Sequence, residues 1–173
     1  MKIVIVKEDE TGHTVDLNLK VIKMKVVAVS GGFDPIHIGH VRMFQEASSL
    51  GTKLVVILNN DNWLMKKKGY VFMPQEERKY ILERLYDVDE VVLTKHKIDD
   101  PDTSVSRELR KIKPDIFANG GDRKKAVTEE DKICKKLGIK QVFNVGGGKI
   151  QSSSKLVYKA LGWNEDYLMG ERI

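Results

Sequence analysis

The chain has one cysteine, four prolines and four histidines among 173 residues, and each scarcity excludes something. Cys134, alone, can close no internal disulfide, and a thiolate metal site would lack its other ligands. Aromatic residues make up only 7% of the chain, with no stacking pattern like that of an RNA-recognition sheet. No apolar run approaches the ~20 residues of a membrane-spanning helix. The opening MKIVIVKEDE becomes charged too soon for a secretory leader, so a soluble cytoplasmic protein is expected. Two familiar nucleotide signatures are also missing: there is no G-x-x-x-x-G-K-[ST] phosphate loop and no G-x-G-x-x-G fingerprint.

What remains is well suited to one compact domain. Hydrophobic residues are 41% of the chain and well-mixed charged residues 32%, with a formal net charge of +5. A basic balance favours anionic partners. From Met1 to about Lys23 the pattern alternates, with Thr11-Gly12 in a polar break, and predicts a β-hairpin. From residue 24 to 162 short, β-branched, almost wholly apolar runs alternate with helical patterns. The runs are KVVAVS, KLVVILNN, DEVVLTK, DIFANG and QVFNVG. Strands so uniformly apolar are buried on both faces. The expectation is an α/β, Rossmann-like, doubly wound five-stranded parallel sheet with an N-terminal hairpin extension over residues 1–23. The segment 163–173 reads as a tail. Gly51 and Gly138 read as helix caps, and Pro74 as a residue of a first helical turn.

In such sheets ligands bind beyond the carboxyl ends of the strands. Three strands run there into glycine-rich loops: GGFDPIHIGH (31–40), GGDRKK (120–125) and GGGKIQSSS (146–154). Backbone amides in such loops, and at the helix starts that follow, suit phosphate. With the usual phosphate-loop lysine missing, side chains must supply donors, and His37 and His40 stand where they can. No cluster of residue types implies a resident metal.

GGFDPIHIGH resembles the G-x-F-D-x-x-H-x-G-H signature of the cytidylyltransferase-like nucleotidyltransferases. The resemblance runs from about Met24 to Leu161 and includes LVVILNNDNWLMKKKG, PQEERKYILERLYDVDEVV, KPDIFANGGDR and QSSSKLV in the family's order. H-x-G-H also occurs in class I aminoacyl-tRNA synthetases, but those carry a K-M-S-K-S loop that this chain lacks.

The resemblance implies transfer of a nucleotidyl group from ATP or CTP, with Mg²⁺, to a small sugar- or polyol-phosphate acceptor, releasing pyrophosphate. It implies His37, His40 and a lysine of the second-strand loop as catalytic groups; Lys68 fits best and Lys66 is the alternative. Gly31, Gly32, Phe33 and Asp34 would lie at the α-phosphate, with Asp34 bracing the loop or helping to place the metal. Asn119, Gly120, Gly121 and Asp122 would line the nucleotide pocket. Ser152, Ser153 and Ser154 would hold the β- and γ-phosphates. Arg78 would be a structural ion-pairing residue. Tyr86 and Gly147 stand where glycerol-3-phosphate cytidylyltransferases carry arginines, which leaves ATP and CTP both open. A homodimer without nucleic-acid or membrane partners is expected. The alternative is a non-catalytic nucleotide- or nucleic-acid-binding module.

Overall fold

The computed structural model describes residues 5–8, 14–17, 24–121 and 128–162. Strands β1 (Ile5–Glu8) and β2 (Thr14–Leu17) pair antiparallel, with Ile5 opposite Leu17. This is the ribbon that the alternating pattern predicts. Thr11 and Gly12 of its expected turn, and the tail 163–173, lie outside the described residues.

The main body is a five-stranded parallel sheet. In chain order its strands are β3 (Val26–Gly31), β4 (Lys53–Leu58), β5 (Glu90–Leu93), β6 (Ile116–Gly120) and β7 (Lys140–Val145). Their spatial order is β5-β4-β3-β6-β7, with all four pairings parallel. The chain first winds outward from β3 to β5, then returns to place β6 on the other side of β3. This reversal makes a topological switch point at the carboxyl ends of β3 and β6, the position where doubly wound sheets bind ligands.

Burial on both faces follows from period-two geometry. Val27 and Val29 join one core with Met43, Phe44 and Ala47 of α1 (Ile38–Ser49) and Leu82 of α3 (Gln75–Leu82). Ala28 and Phe117 face the other way. They meet Leu109 of α4 (Ser106–Ile112) and Ile133 and Cys134 of α5 (Thr128–Leu137). Only the inner strands have the uniform burial expected from their sequences; β7, at an edge, is mostly half-exposed. Two aspartates fix where inner strands begin. The Val26 amide donates to Asp115 at 2.8 Å, and the Leu54 amide to Asp89 at 2.6 Å.

Three local expectations change. Gly51 is not a left-handed cap: it follows Leu50, the C-cap residue of α1, without a positive φ. Glycine is needed there for space: a Cβ would lie 2.5 Å from the Lys25 carbonyl oxygen, where the chain turns into β4. Pro74 stands just before α3, not within its first turn, and that helix stops at Leu82. Finally, KKK is not on a loop. Residues Asp61–Lys68 form helix α2, capped by the Asn60 side chain on the Trp63 amide and ended by Gly69 at φ 78°. Gly138, by contrast, has the expected positive φ, 70°.

Candidate active site

The H-x-G-H spacing is also the spacing of a helix cap. His37 is the N-cap residue of α1 and His40 its third helical residue. The Gly39 amide donates to His37 Nδ1 at 3.1 Å, and the His37 amide donates to His40 Nδ1 at 3.2 Å. Two orphan amides of the helix start are thereby satisfied, as serine and glutamate do in an ordinary capping box. A backbone N–H can only donate, so both Nδ1 atoms must be acceptors. Each neutral ring then carries its proton on Nε2. The rings stack with centroids 3.7 Å apart and planes 18° from parallel.

Burial keeps them neutral. His40 is pushed down to about 3, first by desolvation and then by the neighbouring charges of His37 and Lys68. His37 is also lowered, chiefly by burial, with Lys68 and Lys149 adding in the same direction. Phe33 supports the pair from behind. Its ring meets His40 edge-on at 5.0 Å and packs on Phe44. Its ring also covers Gly31, where a Cβ would lie 2.8 Å from the ring tip. Gly32 is tight for a related reason: a Cβ there would reach the Leu64 side chain at 2.8 Å.

These histidines open onto a cavity of about 330 Å³, formed where the three glycine loops meet. Its walls include Gly31 and Phe33, Asn119 to Gly121 after β6, and Gly146 to Ser154 leading into α6 (Ser153–Ala160). Lys68 and Lys149 are its two ammonium groups, and no carboxylate lines it among the described residues. The amides at the start of α6 add the positive end of a helix dipole. The cavity therefore suits a polyanion from three sides.

The structure brings together most of the residues singled out from sequence. Gly31, Phe33, His37, His40, Lys68, Asn119, Gly120, Gly121 and Ser152 to Ser154 all line this one cavity. Gly32 and Asp34 stand behind it. Asp34 is fully buried, and its carboxylate accepts from the Phe72 and Met73 amides, each at 2.7 Å; it braces the loop. Lys66 turns away, its ammonium donating to the Asp100 carbonyl at 2.6 Å. Lys68, one helical half-turn on, donates to the Asp34 carbonyl at 3.0 Å. Asp122 lies outside the described residues. Ser152 is the N-cap of α6 but makes no side-chain capping bond, while Ser153 Oγ donates to the Pro35 carbonyl at 2.8 Å. Arg78 is buried and bonded to Asp61 at 2.6 Å, in the ion-pairing role expected of it.

Two lining or bordering residues escaped the sequence reading. Lys149 had a signal, a lysine directly after three glycines on the binding rim. Tyr70 had none, since only the path of the chain after α2 brings it to α6.

A Rossmann-like sheet with paired H-x-G-H imidazoles at its switch point is the architecture of one nucleotidyltransferase class. The cytidylyltransferase-like family profile matches residues 28–155, and the chain belongs to that family; it is a nucleotidyltransferase. Among its relatives, a FAD synthase from Aciduliprofundum boonei is 30% identical over 150 residues, spanning 84% of this chain and 97% of that protein. The bifunctional protein HldE of a Nitratiruptor species is 37% identical over 122 residues, which is 69% of this chain but 25% of that protein. Among solved structures, a lipopolysaccharide core biosynthesis protein from Thermoplasma volcanium is 26% identical, with a TM-score of 0.60 over 73% of this chain and 100% of that one.

Proposed function

We propose that this protein transfers AMP from ATP to the phosphate of FMN, forming FAD and releasing pyrophosphate. An oxygen of the acceptor phosphate attacks the α-phosphorus of ATP, and the bond from that phosphorus to the bridging β-oxygen breaks. A phosphate monoester is already ionised near neutral pH, so the site needs no general base. What it must supply is alignment of two anions and donors for the charge that develops on the α-phosphoryl oxygens. The observation that carries this chemistry is the stacked pair of neutral imidazoles, each with its proton on Nε2, at a cavity lined by two lysines and, among the described residues, no carboxylate. Neutral imidazoles donate a hydrogen bond without attracting water as an ion would. The lysines and the amides of α6 neutralise the departing pyrophosphate. Magnesium enters with ATP as part of the substrate, held through phosphate oxygens, as is usual for this ion.

The acceptor assignment draws on the FAD synthase relative and on the cavity's rim. Ile150, in its wall, is 50% exposed. A large apolar side chain left open beside a phosphate site favours a ligand with a flat apolar body. FMN has one; a sugar or polyol phosphate does not. The test incubates the protein with MgATP and FMN and separates products by chromatography. Parallel arms replace ATP by CTP, and FMN by heptose 1-phosphate or glycerol 3-phosphate. FAD formation is the expected result; pyrophosphate release only with a sugar or polyol phosphate would overturn the acceptor.

The lysines make a separate prediction. Lys68→Ala and Lys149→Ala should each raise the KM for ATP about 10-fold or more, the usual effect of losing a charge-assisted contact to phosphate. Lys66→Ala should leave it unchanged, because Lys66 does not line the cavity and its ammonium donates to the Asp100 carbonyl outside it. Steady-state kinetics on the three variants checks this, and an equal loss in all three would remove Lys68 and Lys149 from their special place.

A further inference from the structure

Tyr70 reaches Ser154, which lines the cavity at the start of α6. It follows Gly69, where α2 ends, and its hydroxyl donates to Ser154 Oγ at 3.3 Å. Beyond it the chain is tied down again, through the Phe72 and Met73 amides on Asp34. The phenol therefore links the segment carrying Lys68 to the first turn of α6. Its titration is raised, mostly by burial, so at neutral pH the hydroxyl keeps its proton and is able to donate.

Either of two hydroxyls can donate; it is the direction from Tyr70 to Ser154 that matters. A serine hydroxyl has one proton and two lone pairs. When Tyr70 donates to Ser154 Oγ, it fills a lone pair and leaves the serine's own proton to point elsewhere. Ser154 lines the cavity at the helix start, so that proton is available to a phosphate oxygen. Chained donors of this kind polarise one another and strengthen the terminal bond. Without Tyr70 the hydroxyl is a free rotor with other acceptors to choose from. The ring also lies 5.8 Å from the Lys68 ammonium, close enough to favour its stay at the cavity wall.

We propose that Tyr70 is a positioning residue, acting through Ser154 to aim a single proton at the β- and γ-phosphates of the bound triphosphate. The inference rests on reading the cavity as a triphosphate site, but not on which acceptor follows.

The experiment is therefore a binding cycle in the absence of acceptor. Wild type, Tyr70→Phe, Ser154→Ala and the double variant are titrated calorimetrically with MgATP. Phenylalanine keeps the ring and removes only the donor. Tyr70→Phe and Ser154→Ala should each weaken ATP binding roughly 5- to 10-fold, as expected for one hydrogen bond. The double variant should bind no more weakly than Ser154→Ala, because Tyr70 has nothing to act through once that hydroxyl is gone. Wild-type affinity in Tyr70→Phe, or losses that multiply in the double variant, would overturn the relay. Thermal melts of all four proteins separate a folding loss from a binding loss. Failure to make FAD with intact ATP coupling would reject the acceptor and leave Tyr70 in place.

Discussion

Replacing His40 by alanine is expected to lower kcat by about 100- to 1,000-fold, with a smaller change in the KM for ATP. That is the usual loss when one preorganised donor to a developing oxyanion is removed, and such a donor acts mainly in the transition state. His37→Ala should fall in the same range. The two losses should not multiply fully, because the rings stack at 3.7 Å and the His37 amide caps onto His40 Nδ1; removing one loosens the other. Glutamine is the informative second substitution, since its amide can still donate, and it should recover part of the rate. Single-turnover measurements with saturating MgATP would separate chemistry from release. Near wild-type kcat in either alanine variant would sink the assignment.

The same pair sets a pH dependence of stability with a definite sign. In the folded protein His40 is pushed down to about 3, well below the ordinary histidine value near 6.5. The folded state thus binds fewer protons than the unfolded state between those values, and stability rises with pH across that interval. Read downward, stability is intact above about 6.5 and is lost progressively as the pH falls towards 3. His37, lowered in the same direction, adds to the decline below about 6.5. Urea unfolding midpoints at several pH values should show this decline, and His40→Gln should flatten it, having no ring to protonate.

Much of the architecture was legible because it rests on short-range rules. Apolar β-branched runs between helical patterns pointed to the parallel sheet, and H-x-G-H after the first of its strands to two histidines that line the cavity. The three glycine loops were legible together because strands of one direction must deliver their loops to one rim. The reasons for individual glycines were less visible. Gly51 and Gly31 are demanded by contacts with Lys25 and Phe33, and only folded coordinates supply such neighbours. The family resemblance implies a loop for the lysine run, and its weak hydrophobic periodicity offers no helix signal against that. Its helical form depends on outside anchors: the Asn62 side chain and the Trp63 indole donate to the carbonyls of His96 and Thr103, and Lys66 to that of Asp100. Tyr70 illustrates the same limit. Its partner is 84 positions away, and nothing local in GYVFMP points to α6.

Arg78→Ala should be the most destabilising single substitution near the site. The guanidinium is buried and every arm of it is used. Nε donates to the Met73 carbonyl at 2.9 Å, Nη1 to those of Gly32 and Asn59 at 2.6 and 2.8 Å, and Nη2 to the Asp61 carboxylate at 2.6 Å. Those partners belong to four separate pieces: the histidine loop, the end of β4, the start of α2 and the segment before α3. Alanine would strand three carbonyls and leave a cavity, a loss of about 3–5 kcal/mol by analogy with other broken buried pairs. For a chain of this size that is a fall in Tm of about 6–20 °C. Lysine should recover little, because one ammonium cannot reproduce a planar fork spread over four acceptors. The effect should reach catalysis even in protein that remains folded. Gly32 adjoins Phe33, which backs His40, and Met73 adjoins the brace on Asp34. Differential scanning calorimetry gives the first number, and kcat measured well below the lowered Tm gives the second. A Tm within about 2 °C of wild type would show that these carbonyls find other donors, and that the histidine loop is held from elsewhere.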